Sequence, residues 1–317
     1  MAKDNYWRDR ELEHIKKSKK TDAQLAKLIE ANQKAVMKDI EQQVEAFYGR
    51  YASTEGITMA EARKRVTKLD IDDYAAKAKR YVKGAHSSDQ FIKSQSFTDL
   101  ANEEMRIYNV TMKINRLELL KTNVALELAA MTSDEERFML EQFTKEAREE
   151  YKRQAGILGH TLNHGEKSIR SIVNASFLNA TWSDRLWTNQ QALKGELNKL
   201  LNRGIVQGKN PRALARDLRK TFSANIADSE RLMITEMARV QIQVQEDTYK
   251  QLEIDSYEYI SEPDACHICK PLDGKVFKLR DMEIGVNANP LHPRCRCAIS
   301  PAMSREEWEA DLTRRGL

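Results

Sequence analysis

Residues 21–51 read TDAQLAKLIEANQKAVMKDIEQQVEAFYGRY. Leu25, Leu28, Ile29, Val36, Ile40, Val44, Phe47 and Tyr51 recur mainly at steps of three, four and seven, the spacing of one face of an α-helix. The stripe is narrow and charges fill the other faces, as in a long packed or coiled-coil-like helix. This stretch sets the expectation for the whole chain, because the same pattern returns downstream. Thr98–Met131 carries Leu100, Ile107, Val110, Ile114, Leu117, Val124 and Leu128 at helical spacing. Thr132-Ser-Asp-Glu135 has the form of a capping box, Ser/Thr followed three residues later by an acid, and predicts a new helix to about Leu158. Two helices meeting at such a junction predict an antiparallel hairpin.

Shorter elements surround these. Residues 4–20 are densely charged and read as a frayed helix or an arm. Gly56 interrupts the first helix. Thr58–Glu61 is another capping box, opening a helix to about Leu69, and Asp72–Lys83 is a further helix ended by Gly84. Residues 85–96 read as a linker. Ser171–Phe177 fits helix or strand. Residues 189–203 predict a helix stopped by Gly204, and Asn210-Pro211 is an N-cap followed by proline at the first helical position. Asp228 or Ser229 opens a helix to about Leu252. Beyond it, YEYIS (257–261) alternates like a strand and Asp273-Gly274 signals a hairpin turn before Val276-Phe277. Cys297-Ala-Ile299 suits a closing strand, and Ser304 with Glu306 and Glu307 opens a last helix containing Trp308.

Composition agrees. In 317 residues, charged side chains make up 32% and aromatics 7%, with 6 prolines and 12 glycines, the balance of a helix-rich protein with solvated faces. The expected fold is mainly α: an elongated helical region over 1–160, a helical core domain over 161–255, and a small α+β zinc-binding module over 256–317. A net charge of +4 permits contact with nucleic acid without demanding it. The absence of a run of about 18 apolar residues gives no candidate membrane span, and the N-terminus lacks the apolar segment of a secretory signal.

All 4 cysteines lie between 266 and 297. A disulfide scaffold spreads its bridges along a small chain, whereas a tight cluster points to metal and a reducing cytoplasm. Cys266-x-x-Cys269 places two sulfurs on one turn, and His292-x-x-Cys295-x-Cys297 offers three more donors. Zinc takes four thiolate or imidazole ligands in a tetrahedron when its role is structural. Cys266, Cys269 and Cys295 are the first three choices, and either His292 or Cys297 fills the fourth place. His267, inside the knuckle, is expected to point away. Four protein ligands close the shell, which argues for a fold-holding Zn2+ and against catalysis. The H-x-E and P-C-x-x-C arrangement of zinc deaminases is missing.

Other candidates read as structural. His160 and His164 are spaced i, i+4, but Gly159 and Gly165 flank them and no H-E-x-x-H pattern follows, so they read as a polar loop. Trp182, Arg185 and Trp187 read as a core corner rather than a base-stacking platform. Glu236 sits among Met233, Ile234, Met237 and Val240, and reads as the partner of an arginine such as Arg239 or Arg185. Between Lys194 and Lys220 there are eight Lys/Arg and two Asp/Glu, a basic helix-turn-helix outline that could contact phosphates.

The order of these pieces carries a resemblance. W-S-x-R (Trp182–Arg185), I-V-Q-G-K-N-P (Ile205–Pro211), T-E-x-A-R-V (Thr235–Val240), C-x-x-C, L-D-G-K-x-F (Leu272–Phe277) and P-L-H-P-R-C-R-C (Pro290–Cys297) together resemble the tailed-phage head morphogenesis family. These are minor capsid proteins similar to the F protein of phage Mu. The resemblance covers roughly 170–300. Ile234 departs from it, standing where the family often has arginine, which weakens any catalytic reading of the triplet ending at Glu236. The resemblance implies a minor capsid protein associated with the portal and the procapsid interior, located in the virion and, during assembly, in the host cytoplasm. It implies the portal protein as partner, with scaffold or major capsid protein, double-stranded DNA and a second copy of the chain as further candidates, and no membrane. A non-enzymatic role is expected. The alternative is a DNA-binding protein ejected with the genome, and a metal-dependent nuclease ranks below both.

Overall fold

The computed structural model describes residues 6–51, 68–82, 116–159, 161–162, 164–207 and 210–315. The Thr58–Glu61 capping box, Gly56, Gly84, the 85–96 linker, His160 and the expected helix start at Thr98 lie outside these residues. Helices span Tyr6–Tyr51 (α1), Lys68–Val82 (α2), Arg116–Leu158 (α3), Glu166–Val173 (α4), Trp182–Val206 (α5), Pro211–Gln251 (α6) and Arg305–Arg315 (α7). Strands are Ser256–Ile260 (β1), Val276–Lys278 (β2) and Ala298–Pro301 (β3). They form one antiparallel sheet in the order β2-β1-β3. The mainly helical expectation and the small C-terminal sheet are both observed.

Three expected helix boundaries are not there, and one physical cause accounts for two of them. The Thr132–Glu135 capping box lies inside the unbroken α3, with all four residues buried. The expected hairpin between 98–131 and 132–158 is therefore overturned. Glu135 caps nothing. Its Oε1 accepts from Gln33 Nε2 at 2.8 Å and its Oε2 from Ser229 Oγ at 3.2 Å. Asn225 Nδ2 donates to Gln33 Oε1 at 2.8 Å. Ser229, the other expected helix start, is thus a buried rung of the continuous α6. Polar side chains that would cap a helix end in water are instead satisfied by partners about 100 to 200 residues away. The third boundary fails for want of room: α5 continues through Gly204, where an added Cβ would lie 3.2 Å from Leu214 Cδ1. The missing side chain serves close packing there rather than a C-cap.

The same effect extends α1. The expected arm over 4–20 is helix from Tyr6. Its buried positions, Trp7, Glu11, Ile15, Ser18, Asp22, Leu25 and Ile29, keep the helical step. Three of the seven are polar, so the apolar stripe fades while the buried face does not.

Residue contacts group the chain into two units that differ from the chain-order division at 160/161 and 255/256. One comprises Met1–Leu25, Leu140–Trp182 and Arg231–Leu317; the other comprises Ala26–Met139 and Ser183–Glu230. The cause is helix length, since α1, α3 and α6 each contribute one end to either unit. The second unit holds an apolar core built from Val36, Ile40, Val44, Val124, Leu128, Leu197, Leu201, Leu218 and Phe222, among others. Asn210 caps α6 as expected, its Oδ1 accepting from the Arg212 N–H at 2.9 Å.

In the first unit, Arg239 on α6 is fully buried and pairs with Glu236 one turn back. Its Nη1 and Nη2 donate to the carbonyls of Ile172 (2.8 Å) and Val173 (3.0 Å). These are the last carbonyls of α4, which carry the negative end of its dipole; that of Ile172 also accepts from the Ala175 N–H at 3.3 Å. Glu236 therefore has the structural role expected of it. Trp182 is buried edge-on against Phe143, with ring centroids 5.3 Å apart, and Trp187 is buried in the second unit. His164 stacks on Tyr151.

Candidate metal centre

The cluster is assembled by two turns and a strand exit. β1 leaves the sheet at Ile260. The Lys270 N–H bonds the Cys266 carbonyl at 3.0 Å, closing the knuckle, and a 3-10 turn over Lys270–Leu272 follows. Gly274 takes φ +73°, the left-handed region that favours glycine, and donates to the Tyr259 carbonyl at 2.8 Å. The Asp-Gly turn signal thus marks the chain's return to β1, with the knuckle inserted between β1 and β2. Asp273 Oδ1 also accepts from the Ser261 N–H at 2.8 Å. Burial works to raise the Asp273 pKa, but bonds from Arg8 and Ser261 outweigh it and hold the carboxylate below its ordinary range.

His292 and Cys295 share a second turn. Pro293 occupies its second position, Arg294 takes φ +63° in the third, and the Cys295 N–H bonds the His292 carbonyl at 3.1 Å, as in a type II turn. Both side chains converge on the knuckle. His292 Nε2 lies 3.2 Å from Cys266 Sγ and 3.2 Å from Cys269 Sγ, and Cys269 Sγ lies 3.7 Å from Cys295 Sγ. His292 Nδ1 contacts the Pro293 carbonyl at 2.9 Å. That bond places the ring proton on Nδ1 and leaves Nε2 free as a donor to metal.

The donor set could hold a metal ion. Cys266, Cys269 and His292 form one group, and Cys269, Cys295 and Cys297 another, each with its donor atoms within 4.8 Å of one another. Metal–ligand lengths of about 2.3 Å for sulfur and 2.0–2.1 Å for nitrogen imply tetrahedral edges of about 3.8 Å (S···S) and 3.5 Å (S···N). The observed 3.2, 3.2 and 3.7 Å are close to these edges. Hydrogen bonds from Cys269 and Cys297 pull the Cys295 thiol far below its ordinary range, and the same bonds push Cys269 and Cys297 up. All five sequence candidates are brought together, while His267 is exposed and outside both groups.

The supports of the site were not legible in the sequence. Thr235 Oγ1 accepts the Arg294 N–H at 3.0 Å, joining T-E-x-A-R-V on α6 to H-P-R-C-R-C. Arg296, between two cysteines, is buried on Asp22 of α1 and Gln241 of α6. An arginine flanked by ligands was the available signal, since so short a segment cannot solvate all its side chains once both cysteines turn inward.

A third group, His14, Glu146 and Glu150, also has its donor atoms within 4.8 Å of one another. Glu150 already accepts from Arg153 Nε and Nη2 (both 2.7 Å), Gln154 (2.8 Å) and Gln245 (2.9 Å). Arg153 also grips Glu11 at 2.8 and 3.0 Å. The group is part of a buried ion-pair network whose acceptors are taken.

The family model of phage Mu protein F-like proteins matches residues 195–300. This match supports assignment to a phage head morphogenesis family. It spans the chain from within α5 to β3 and includes every cluster residue, whereas the W-S-x-R motif falls before it. No curated protein and no solved structure matches the chain. The family points to a capsid-related, virion-associated role in head morphogenesis. Among the described residues, no helix is long and apolar enough to cross a membrane.

Proposed function

We propose that the chain is a non-enzymatic minor component of a tailed-phage head, held together at its C-terminal end by one structural Zn2+ and acting at the portal and procapsid interior during assembly. The observation that carries this reading is a coincidence in sequence. The matched stretch, 195–300, contains the whole Cys/His cluster. Cys266, Cys269, His292 and Cys295 are the proposed ligands, because His292 Nε2 faces Cys266 and Cys269 and Cys295 adjoins Cys269; closing the shell draws Cys295, which is grouped with Cys269 and Cys297, toward Cys266 and His292. Cys297 is then the spare donor beside the shell. Four protein ligands leave no open position for a substrate or water, so the metal would stabilise rather than catalyse.

Co-expression with the portal protein of the same phage tests the role. Co-purification of the two, with about one zinc per chain by elemental analysis, is expected. A chain that is fully folded without metal and leaves the portal behind overturns it. Contact with duplex DNA is the second reading, favoured by the basic excess over 194–220. Within that segment Lys199 pairs with Glu196 and Arg219 with Glu41, so fewer cations face a phosphate backbone than the sequence count implies. A salt-sensitive gel shift is its test.

A further inference from the structure

Four side chains on the first turns of α1 reach residues near the cluster. Trp7 Nε1 donates to the Met303 carbonyl at 2.8 Å. Arg8 Nη2 donates to both Asp273 oxygens, at 2.8 and 2.6 Å, and its Nη1 to Glu258 at 3.3 Å. Lys19 Nζ pairs with Glu262 at 2.6 Å. Asp22 takes Arg296 Nε on Oδ2 at 2.7 Å and Arg296 Nη2 on Oδ1. The last pair differs in kind from the others. Both side chains are buried, at 3% and 8% exposure, and the residues are 274 positions apart. Arg296 also donates Nη1 to Gln241 at 3.0 Å.

Arg296 sits between Cys295 and Cys297 in a segment without helix or strand of its own before Ala298. Its direction is therefore set by where the two cysteines point. We propose that the Cys/His cluster and α1 form a metal-coupled clasp: filling the cluster fixes 292–297, which aims Arg296 at Asp22 and docks residues 6–22 onto the C-terminal segment. The inference rests on the metal reading above. A buried guanidinium without its carboxylate is unfavourable, so loosening 292–297 removes one buried anchor of α1, the Glu11–Arg153 pair being another, and loss of Asp22 in turn loosens the cluster. Coupling of this kind is reciprocal. The ion pairs of Arg8 and Lys19 are partly exposed and hold the segment weakly.

The test uses the full chain purified with zinc. Backbone hydrogen exchange is followed before and after removal of zinc by a chelator, and zinc affinity is measured by competition in wild type and Asp22→Asn. Chelation is expected to speed exchange in 262–300 and in 6–22 while leaving 117–131 unchanged. Asp22→Asn is expected to lower zinc affinity by about tenfold. The chelation arm uses no variant, so it decides even if Asp22→Asn folds poorly. Unchanged protection at 6–22 after chelation, or wild-type zinc affinity in a folded Asp22→Asn, overturns the clasp and leaves the metal reading standing. Failure of the wild type to bind zinc overturns both.

Discussion

The two units solve the same problem, filling the space between long helices, with different chemistry. The unit containing Ala26–Met139 and Ser183–Glu230 fills much of it with Leu, Val, Ile and Phe, and among the described residues also buries polar groups around Glu135 and Glu127. The unit carrying the candidate metal centre fills much of it with charge: Glu11, Asp22, Glu150, Glu236, Arg239 and Arg296 are all buried. An apolar core is non-directional and tolerates small shifts. A buried ionic network holds only when each partner is in place. The unit that holds the Cys/His cluster is the one richer in directional contacts.

The sharpest way to break this contrast is to remove one partner of a buried pair. Arg239→Ala leaves Glu236 uncompensated and strips the cap from α4, and is expected to cost about 3–5 kcal/mol, read by chemical denaturation. Glu236→Gln with Arg239→Met, which removes both charges, should recover much of that loss; no recovery would mean that the carbonyl bonds to Ile172 and Val173 dominate. In the apolar unit, Leu197→Ala is expected to cost about 3 kcal/mol through lost burial and a residual cavity, with no change in zinc content.

One buried group in each unit is expected to respond oppositely to pH. Burial lowers His14 to about 4 from 6.5. As pH falls through 6.5 the unfolded chain gains a proton that the folded chain refuses until about 4, so stability from this group is present above 6.5 and lost between 6.5 and 4. Burial raises Glu135 to about 7 from 4.5. Here the folded chain keeps a proton that the unfolded chain releases, so its contribution falls as pH rises from 4.5 to about 7. Segment-resolved hydrogen exchange at pH 5 and 7 separates the two. His14→Gln should flatten the first dependence and Glu135→Gln the second. The smallest effects are at caps. Ser304 Oγ accepts from the Glu307 N–H at 3.1 Å while Glu307 Oε2 accepts from the Ser304 N–H at 2.7 Å. Loss of this capping box in Ser304→Ala is expected to cost about 1 kcal/mol, with the melting temperature as readout.

Legibility follows the same divide. The stripe from Leu25 to Phe47 announced its helix because its buried positions are apolar apart from Asn32 and Gln33. Glu11, Ser18 and Asp22 hid the continuation of that face, and Thr132–Glu135 and Ser229 imitated helix starts. In each case a polar residue in a buried position looked like a boundary. Only its partner's position distinguishes the two, and Gln33, Glu135 and Arg296 are far from theirs in sequence. The true caps at Asn210 and Ser304 were readable because a cap is satisfied within three residues.

The metal centre divides in the same way. Sequence alone pointed to the candidate donors that the fold brings near one another, since Cys266-x-x-Cys269 and His292-x-x-Cys295-x-Cys297 have the spacing of tight turns, and turns are local. Tertiary structure decided the rest. It set His292 Nε2 against Cys266 and Cys269, tied Thr235 to Arg294, and buried Arg296 on Asp22. Those contacts depend on where three long helices pass, and helix paths are set by packing across the whole chain rather than by any one stretch of it.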